Sequence, residues 1–525
     1  MKKKIWKYLL FFSLPALFIL LKGILDNDLW YILAEGREIV NNGIYYQDVL
    51  SIHQGLDIVV QNWLSAVIFW LVFDFFKEIG LIVLVIGVNF IICLLLFKIS
   101  MLLSDNNENL SLIIMLLCDF ILSINYIVTR PQIFSFAILL AVIYVLELYI
   151  KTKKKRYLLW LPFLSLLEIN LHASLWWMMF LFILPYVIDS FKCEKLKLQG
   201  FEKKPFFLAI VVSLLVGFIN PYTVDAITFI FRSYGNKLMH LYILELGPFT
   251  FNSLTCYIIF GIALTIMLCF GYFKNGRMRV RYLCLIAGTL ILGFITIKAL
   301  SHFILVAFFP FAYFFRDIYP KNIKINNKVL KTIIQVFTII LAIASMGGTM
   351  VLFAINSKNI ALSNGLSNAM AVLQMYADPK TSTVYSSFNN GGTVEFAGFK
   401  SYIDPRAEVF LKKNNHKEDI FEENYKLQTG QLDYQEFIKK YDFTHILVDT
   451  SDALFYNIDN EKYIIIYEEG RVGVRLYARR DLFTVEEIKI IEEQYEASLK
   501  NAEEMTKVQD NITNTSVNKK DKGKK

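Results

Sequence analysis

Charged residues are scarce in this chain: only 19% of its 525 residues are Asp, Glu, Lys or Arg, while 55% are hydrophobic. A soluble domain of average composition carries about 25% charged residues. The composition therefore excludes an ordinary soluble protein and indicates a polytopic membrane protein. The net charge of +8 does not indicate nucleic-acid binding. Lys and Arg fall in short clusters between apolar runs, as the positive-inside rule predicts.

Cysteine patterns that would indicate a zinc site or a disulfide framework are also missing. The six cysteines have no metal-ligand spacing and lie mostly within apolar runs, so we expect them to be small buried hydrophobes. There is no internal repeat of the kind found in many secondary transporters. No small-x-small cleavage site follows the N-terminal apolar stretch, which we therefore interpret as an uncleaved first membrane helix with a cytoplasmic N-terminus.

Apolar runs long enough to cross a bilayer, which takes about 20 residues, occur eleven times. They lie near residues 8–25, 80–98, 110–128, 132–150, 157–171, 174–190, 205–219, 255–273, 281–298, 301–316 and 331–354. With the N-terminus inside, every clear basic cluster, such as KTKKKR at 151–156, falls in the cytoplasm. If the further run at 61–76 were also a span, the cluster KTKKKR would fall outside the cell. We therefore predict that 61–76 forms a helix lying in the outer interface.

This topology divides the chain into a membrane domain, 1–354, and a smaller C-terminal part. The membrane domain has two large outer segments, 26–79 and 220–254. Residues 355–483 alternate short apolar runs with polar residues, which predicts a small extracytoplasmic α/β domain. Residues 484–525 form a charged tail, helical at first and then disordered.

The stretch LDNDLWYILAEG, at 25–36, places two acids where the first helix leaves the bilayer. Asp26 and Asp28 can bind a divalent cation such as Mg²⁺ or Mn²⁺, or one of them can act as a general base on a hydroxyl. The alternative is that they cap the helix predicted over Trp30–Val40 electrostatically, since acids at a helix N-terminus stabilise it by roughly 0.3–1 kcal/mol.

Several basic or imidazole side chains fall on the same predicted outer surface. They are Arg130, His172, Lys298 and His302. Each alone can be a cation at the interface or a satisfied histidine. Together with the two acids they suit an anionic, lipid-linked substrate, because cations stabilise a phosphate leaving group while an acid activates the acceptor.

The run beginning at Asp26 resembles the start of bacterial membrane glycosyltransferases of the GT-C superfamily. It is most similar to a poorly characterised branch that opens Asp-x-Asp-x-Trp. The matching residues are Asp26, Asp28, Trp30, Gly36, Asp48, Ser51, Trp63 and Leu64. Further matches follow in order over roughly residues 1–480: RPQIFSF at 130–136, NLHAS at 170–174, NPY at 220–222, Glu245, NNGG at 389–392 and IDPRAEVF at 403–410. The chain departs from the branch at Ala173, Leu246 and Pro405.

The resemblance implies an α-helical GT-C-like membrane fold with a C-terminal extracytoplasmic domain. It also implies a hexosyl- or pentosyltransferase at the outer face of a bacterial plasma membrane. The donor would be a polyprenyl-phosphate sugar, and the acceptor a cell-surface glycan or glycolipid. By position Asp28 would be the base, with Asp26 as its helper or a metal ligand. Trp30, Asp48 and Glu245 then join the four residues named above as substrate-binding candidates.

Two other functions remain open. A protein of this fold could bind or present a lipid-linked glycan without catalysis. A transporter or flippase is disfavoured because few charges fall in mid-span, Glu147 lying near a cytoplasmic end and Glu168 near an outer end. In the C-terminal domain we predict a buried salt bridge between Asp404 and Arg406, with acceptor contact as the alternative, and a turn at NNGG where Gly supplies positive φ.

Overall fold

The computed structural model describes residues 2–23, 25–193, 198, 200–233, 235–249, 261–262, 279–316, 365–469 and 473–497. The chain divides into two compact units. The first consists of Met1–Tyr46 and Ile58–Ile355, and the second of Gln47–Asp57 and Asn356–Lys525. A short segment of the first predicted outer region therefore belongs to the second unit, which nothing in the sequence indicated.

The first unit is helical. Its helices are α1 (Lys2–Lys22), α2 (Leu29–Asn42), α3 (Trp63–Leu103), α4 (Glu108–Asn125), α5 (Gln132–Thr152), α6 (Trp160–Leu171), α7 (Trp176–Asp189), α8 (Lys203–Val216), α9 (Val224–Ser233), α10 (Lys237–Tyr242), α11 (Val280–Ile295), α12 (Leu300–Ala307) and α13 (Phe309–Phe314). Short 3-10 turns at Ala173–Leu175, Leu244–Leu246 and Ile297–Ala299 contain or adjoin three of the predicted site residues, His172, Glu245 and Lys298.

Four helical stretches among the described residues are long and apolar enough to cross a membrane, which is consistent with a membrane protein. They are Trp63–Leu103, Glu108–Asn125, Gln132–Thr152 and Ile297–Phe314. The predicted span 331–354 and nearly all of 255–273 lie outside the described residues. The count of eleven spans therefore stays a prediction.

Helix α3 is interrupted at Lys77, whose backbone has φ 52° and ψ −148°. The interruption separates the segment predicted to lie in the interface, 61–76, from the span predicted at 80–98. Helix α2 packs closely on the first part of α3, because a Cβ added to Gly36 would lie 2.1 Å from the Ala66 carbonyl oxygen. Gly36 thus permits the close approach of the helix that begins directly after Asp28.

A buried ion network joins three helices of the first unit. Arg281 on α11 contacts Glu147 on α5 through Nε and Nη2, at 2.8 and 2.9 Å, and Asp189 on α7 through Nη1, at 2.6 Å. Removing one member of a buried pair leaves an uncompensated charge. The network therefore holds α5, α7 and α11 in one register, and Glu147 has a structural role.

Asp119, in α4, is a buried acid within a candidate span that the sequence prediction overlooked. Its carboxyl is 2% exposed and accepts a hydrogen bond from Cys93 Sγ on α3 at 3.2 Å. Buried acids in the helices therefore include Asp119 besides Glu147 and Glu168, which weakens the sequence evidence against a transporter. Because Asp119 is hydrogen-bonded to the neighbouring helix α3, a role in holding the two helices together is favoured.

The second unit contains helices and one small sheet. The helices are α14 (365–376), α15 (Gly391–Phe396), α16 (Lys412–Asn415), α17 (Ile420–Gln428), α18 (Tyr434–Tyr441) and α19 (485–497). The strands are β1 (Val384–Ser386), β2 (His445–Asp449), β3 (Tyr463–Glu469) and β4 (Val474–Arg479). Their order is β1-β2-β4-β3, with β1 parallel to β2 and β4 antiparallel to both neighbours. The sheet predicted in the C-terminal region is confirmed.

The segment 47–57 is held in the second unit by backbone hydrogen bonds. The Ile52 N–H donates to the Ser401 carbonyl oxygen at 2.9 Å, and the Ser401 N–H donates to the Leu50 carbonyl oxygen at 3.2 Å. His53 Nε2 lies 2.8 Å from the Tyr402 carbonyl oxygen. These contacts involve residues some 350 positions apart in the chain, so local sequence patterns could not indicate them.

Candidate active site

The connection between α1 and α2 presents the two acids of the DND motif. The Ile32 N–H donates to the Asp28 carbonyl oxygen, which makes Asp28 the N-cap residue of α2. The Asp28 side chain makes no capping hydrogen bond. The Asp28 N–H instead donates to Asp26 Oδ1 at 3.0 Å. Asp28 thus occupies the capping position of α2, but its carboxylate makes no capping hydrogen bond and contacts other groups.

Arg130, in the turn between α4 and α5, brings three carboxylates together. Its Nε lies 2.9 Å from Asp26 Oδ1, its Nη2 3.1 Å from Asp28 Oδ2, and its Nη1 2.9 Å from Glu245 Oε2. The planar guanidinium suits such divergent contacts because its five N–H groups point in fixed directions. The acid pair Asp26 and Asp28 and the separately predicted Glu245 therefore meet at one cation.

The segment predicted to form the second outer region is tied to the turn that carries Lys298. The Thr296 hydroxyl donates to the Glu245 carbonyl oxygen at 3.2 Å, and the Ile297 N–H donates to the Gly247 carbonyl oxygen at 3.0 Å. Lys298 interacts electrostatically with both Asp28 and Glu245. At Leu246 this sequence departs from the glycosyltransferase branch that it resembles. Glu245, the residue before it, nevertheless lies in the site.

Burial and charge set the protonation of the acids. Burial raises the pKa of Asp28 to about 6, against the opposing effect of Arg130. Burial also disfavours the ionised form of Glu245, but Arg130 and Lys298 lower its pKa below the ordinary value. Because the same cation acts on both groups, the difference reflects their surroundings: the Glu245 side chain is 51% exposed and that of Asp28 is 25% exposed.

Two side chains that the sequence did not single out support Asp26. Lys22, at the end of α1, interacts electrostatically with Asp26 and donates from Nζ to the Ser123 carbonyl oxygen at 2.7 Å. The Thr129 hydroxyl oxygen accepts a hydrogen bond from the Asp26 N–H at 3.3 Å. Their sequence positions offered a weak signal, because Lys22 precedes the DND motif by one helical turn and Thr129 precedes Arg130 directly.

The NLHAS motif lies at the end of α6, against the start of α3. The Ala173 N–H donates to the Gln61 carbonyl oxygen at 2.7 Å, and Ser65 Oγ donates to the Leu171 carbonyl oxygen at 2.7 Å. Trp63 Nε1 donates to Asn170 Oδ1 at 3.1 Å. The QNWL and NLHAS motifs are therefore neighbours, and their polar groups hold the chain on either side of His172.

The His172 imidazole interacts with polar groups from α5, α12 and the 3-10 turn at Ile297–Ala299. Its Nδ1 lies 3.1 Å from Ser135 Oγ on α5. Burial lowers the pKa of His172 to about 3, and Lys298 and His302 lower it further, so the imidazole is neutral. His302 on α12 is 4% exposed and packs edge-on against Phe136 and Phe182. His172, Lys298 and His302 are thus brought together, with His302 the most deeply buried of them.

Trp30 and Asp48 complete the predicted set. Trp30 lies in the first turn of α2, partly buried. Asp48 lies in the second unit, where Oδ1 contacts Arg406 Nη1 at 2.9 Å and Oδ2 accepts a hydrogen bond from the Ser51 N–H at 2.9 Å. Both Asp48 oxygens are engaged within the protein. The contacts favour a structural role over the substrate contact that the sequence suggested.

Arg406 is the centre of a buried cluster in the second unit. It contacts Asp404 Oδ2 at 2.7 Å, Asp48 at 2.9 Å and Glu395 Oε1 at 3.4 Å. The predicted Asp404–Arg406 ion pair is therefore confirmed, and both side chains are nearly inaccessible. Burial and then the nearby Asp404 raise the pKa of Glu395 well above its ordinary value, so this third acid is protonated.

The first glycine of the NNGG motif does not supply the positive φ that was predicted for it. Gly391 begins α15 and does not have the positive φ of a turn glycine. A Cβ at Gly391 would lie 2.0 Å from the Ile403 carbonyl oxygen. The glycine is therefore needed for close packing against the chain that leads to Asp404.

The acids were also predicted to suit a divalent cation. Within the residues that the structure describes, no group of three His, Cys, Asp or Glu side chains could hold a metal ion. Arg130 lies between the oxygens of Asp26 and Asp28 that a cation would use. In this arrangement the Arg130 guanidinium contacts both carboxylates, and a divalent cation at these acids stays a prediction.

Comparisons with known proteins bear on the fold. No protein-family model matches the sequence, and no curated protein matches it. Among solved structures, the chain is similar to the oligosaccharyltransferase of Archaeoglobus fulgidus in its apo form. The TM-score is 0.58 and the sequence identity 12%, over 84% of this chain and 69% of that chain. At this identity the likeness establishes the fold alone. The likeness therefore bears on the expected fold and does not reach the narrower branch of the resemblance.

Proposed function

We propose that this protein is a membrane glycosyltransferase at the outer face of a bacterial plasma membrane. It transfers a hexosyl or pentosyl group from a polyprenyl-phosphate donor to a cell-surface glycan or glycolipid. The observation that supports this most directly is the cluster of Asp26, Asp28 and Glu245 around Arg130. The cluster unites acids from two outer segments of a GT-C-like fold.

Asp28 is the general base of the proposal. A base works best when its pKa lies near the operating pH, and the Asp28 pKa of about 6 meets this condition. Arg130 keeps the carboxylate ionised at neutral pH despite its burial. Asp26 orients Arg130 and accepts the Asp28 N–H, so it acts as the helper expected from its motif position.

The reaction is a single displacement. A carboxylate oxygen of Asp28 takes the proton of the acceptor hydroxyl, and the resulting oxygen nucleophile attacks the anomeric carbon of the donor sugar. The bond from that carbon to the phosphate oxygen breaks, and the electron pair leaves with the polyprenyl phosphate. Preorganised positive groups at the phosphate lower the barrier by stabilising this developing charge.

Lys298 and His172 are the groups assigned to the phosphate. Lys298 interacts electrostatically with His172 as well as with the acids, so its charge acts on both the base and the imidazole. Arg130 was predicted to bind phosphate, but its Nε, Nη1 and Nη2 atoms contact carboxylates. We therefore assign Arg130 to the acids. His302 supports the imidazole from within the helix bundle, and Trp30 lines the acceptor side.

Mass spectrometry of surface glycans tests the proposal in three strains: the wild type, a deletion, and the deletion carrying Asp28→Asn at normal protein level. We expect the deletion and the Asp28→Asn strain to lose the same sugar, whose mass gives the sugar class. A deletion that leaves every surface glycan unchanged would refute the glycosyltransferase function.

A non-catalytic role in presenting lipid-linked glycans is the second candidate, because the three carboxylates are already paired with Arg130 in this structure. The same experiment separates the two. If Asp28→Asn restores the sugar that the deletion loses, the protein acts without Asp28 as a base and the presenting role is favoured.

A further inference from the structure

Glu168, on α6, is a buried acid that the proposed reaction does not use. It is 0% exposed, and neither carboxylate oxygen has a hydrogen-bond partner among the described residues. A buried polar group without a partner costs free energy and needs an explanation, often a catalytic one. Glu168 lies one helical turn before His172, whose N–H donates to the Glu168 carbonyl oxygen at 2.8 Å.

Ser135, on α5, connects the two residues. Its hydroxyl oxygen lies 3.1 Å from His172 Nδ1, and it is the side chain that interacts with the Glu168 carboxyl. Ser135 is itself fully buried. Glu168, Ser135 and His172 therefore form a row of polar side chains that begins inside the helix bundle and ends at the partly exposed imidazole.

The direction of hydrogen bonding along this row follows from the charge of Glu168. An ionised carboxylate that is fully buried and not paired with a cation is too costly to persist. Glu168 is therefore in its neutral form, in which the carboxyl has an O–H to donate. Ser135 can accept that hydrogen and donate its own hydroxyl to His172 Nδ1. Since a neutral imidazole carries one proton, Nδ1 as an acceptor requires the proton on Nε2.

We infer that Glu168 and Ser135 are positioning residues that hold His172 in the tautomer with the proton on Nε2, so that the imidazole donates a hydrogen bond to the donor phosphate. The inference rests on the proposed function for the identity of the ligand. Its structural part, the tautomer, does not depend on that function. A neutral imidazole fixed in this way contributes a directed donor beside the Lys298 ammonium.

Nitrogen-15 NMR of the full-length protein, labelled at histidine and held in lipid nanodiscs, tests the tautomer directly. The chain has six histidines, and the His172 signals are identified as those lost in His172→Gln. We expect the wild type to show protonated Nε2 and unprotonated Nδ1. Ser135→Ala should give a mixture of tautomers. Ser213→Ala is the matched control, because Ser213 is a buried serine that donates within α8 to the Ala209 carbonyl oxygen and should leave the tautomer unchanged.

Two substitutions at Glu168 separate positioning from a structural role. Glu168→Gln keeps an N–H that can donate to Ser135, so transfer should stay close to that of the wild type. Glu168→Leu removes the donor, and kcat should fall about tenfold or more, as for lost outer partners of functional histidines. Leu should at the same time raise Tm, because an apolar side chain at this buried position avoids the cost of desolvating a carboxyl group. A merely structural residue would not show lower activity with higher stability.

Protonated Nδ1 in the wild type would overturn the inference, because Ser135 would then accept from His172. Full activity of Glu168→Leu would overturn it as well. Neither result would touch the proposed glycosyltransferase, which depends on Asp28. Absence of transfer by the wild type would refute the proposed function, and the NMR result would still decide the tautomer.

Discussion

Arg130 Nη2 lies 3.1 Å from Asp28 Oδ2, and the same guanidinium contacts Asp26 and Glu245. One cation thereby links the connection between α1 and α2, the turn before α5 and the 3-10 turn at Leu244–Leu246. The pair has a chemical consequence: burial raises the pKa of Asp28 while Arg130 restrains the increase. The value of about 6 suits a base at neutral pH.

The first prediction concerns pH. Asp28 must be ionised to accept a proton, so kcat/KM should be low in acid, rise through about pH 6 and level off above it. Initial rates of sugar transfer at constant ionic strength give this profile. Asp28→Asn should lower the rate by about 10²–10⁴-fold. It should also abolish the acid limb, which is the part of the profile where the rate rises through about pH 6. A profile that is flat through pH 6 would contradict Asp28 as the base.

The second prediction uses two neighbours of Asp28 that act in opposite directions. Arg130 lowers the pKa of Asp28 and Glu245 raises it. Arg130→Gln should therefore move the acid limb to higher pH, and Glu245→Gln should move it to lower pH. The pH profiles of both variants are compared with that of the wild type, after thermal unfolding has shown that each is folded. Shifts in the same direction would mean that this cluster does not set the pKa of the base.

The third prediction concerns the packing beneath Asp28. An added methyl at Gly36 would overlap the Ala66 carbonyl oxygen and the Trp70 side chain. Gly36→Ala should displace α2, lower stability by about 1–3 kcal/mol and reduce transfer. Gly87→Ala in α3 is the matched control, since a Cβ there meets nothing within 4 Å and should be neutral or stabilising. Equal Tm values for the two variants would show that α2 does not depend on Gly36.

The fourth prediction concerns the second unit. Arg406→Met leaves Asp48 and Asp404 buried without their cation, and breaking such a buried pair costs about 3–5 kcal/mol. Limited proteolysis across a temperature series should show earlier cleavage between residues 365 and 497. Lys440→Met is the control, because the Lys440–Glu423 pair involves a half-exposed lysine and exposed pairs contribute about 0–1 kcal/mol. Similar cleavage of the two variants would remove the structural role given to Arg406.

Sequence patterns identified the polar residues at helix ends but not their pairings. Asp26, Asp28, Arg130 and Glu245 were all chosen from motifs or from their place beside apolar runs. Arg130 was expected to face phosphate, because one chain position does not show which of several carboxylates will surround a cation. The pairing depends on how α2, α5 and the second outer segment pack.

The roles of polar residues inside helices were harder to predict from the sequence. Hydropathy favoured a span wherever apolar residues dominate, so Asp119 was overlooked and Glu168 was taken only as a residue near a helix end. Asp48 was placed with the first outer segment because its chain neighbours are there. Its partner Arg406 is 358 residues away, and only the folded chain brings them together.

The most direct measurement supplies the purified protein, in vesicles made from a total lipid extract of the producing cells, with its native lipid-linked sugars. Mass spectrometry then follows each polyprenyl-phosphate sugar and the free polyprenyl phosphate. The wild type should consume one sugar-linked species and release polyprenyl phosphate, while Asp28→Asn of equal Tm should leave that species intact. If the folded wild type consumes none, or if Asp28→Asn consumes it equally fast, glycosyl transfer with Asp28 as the base is contradicted.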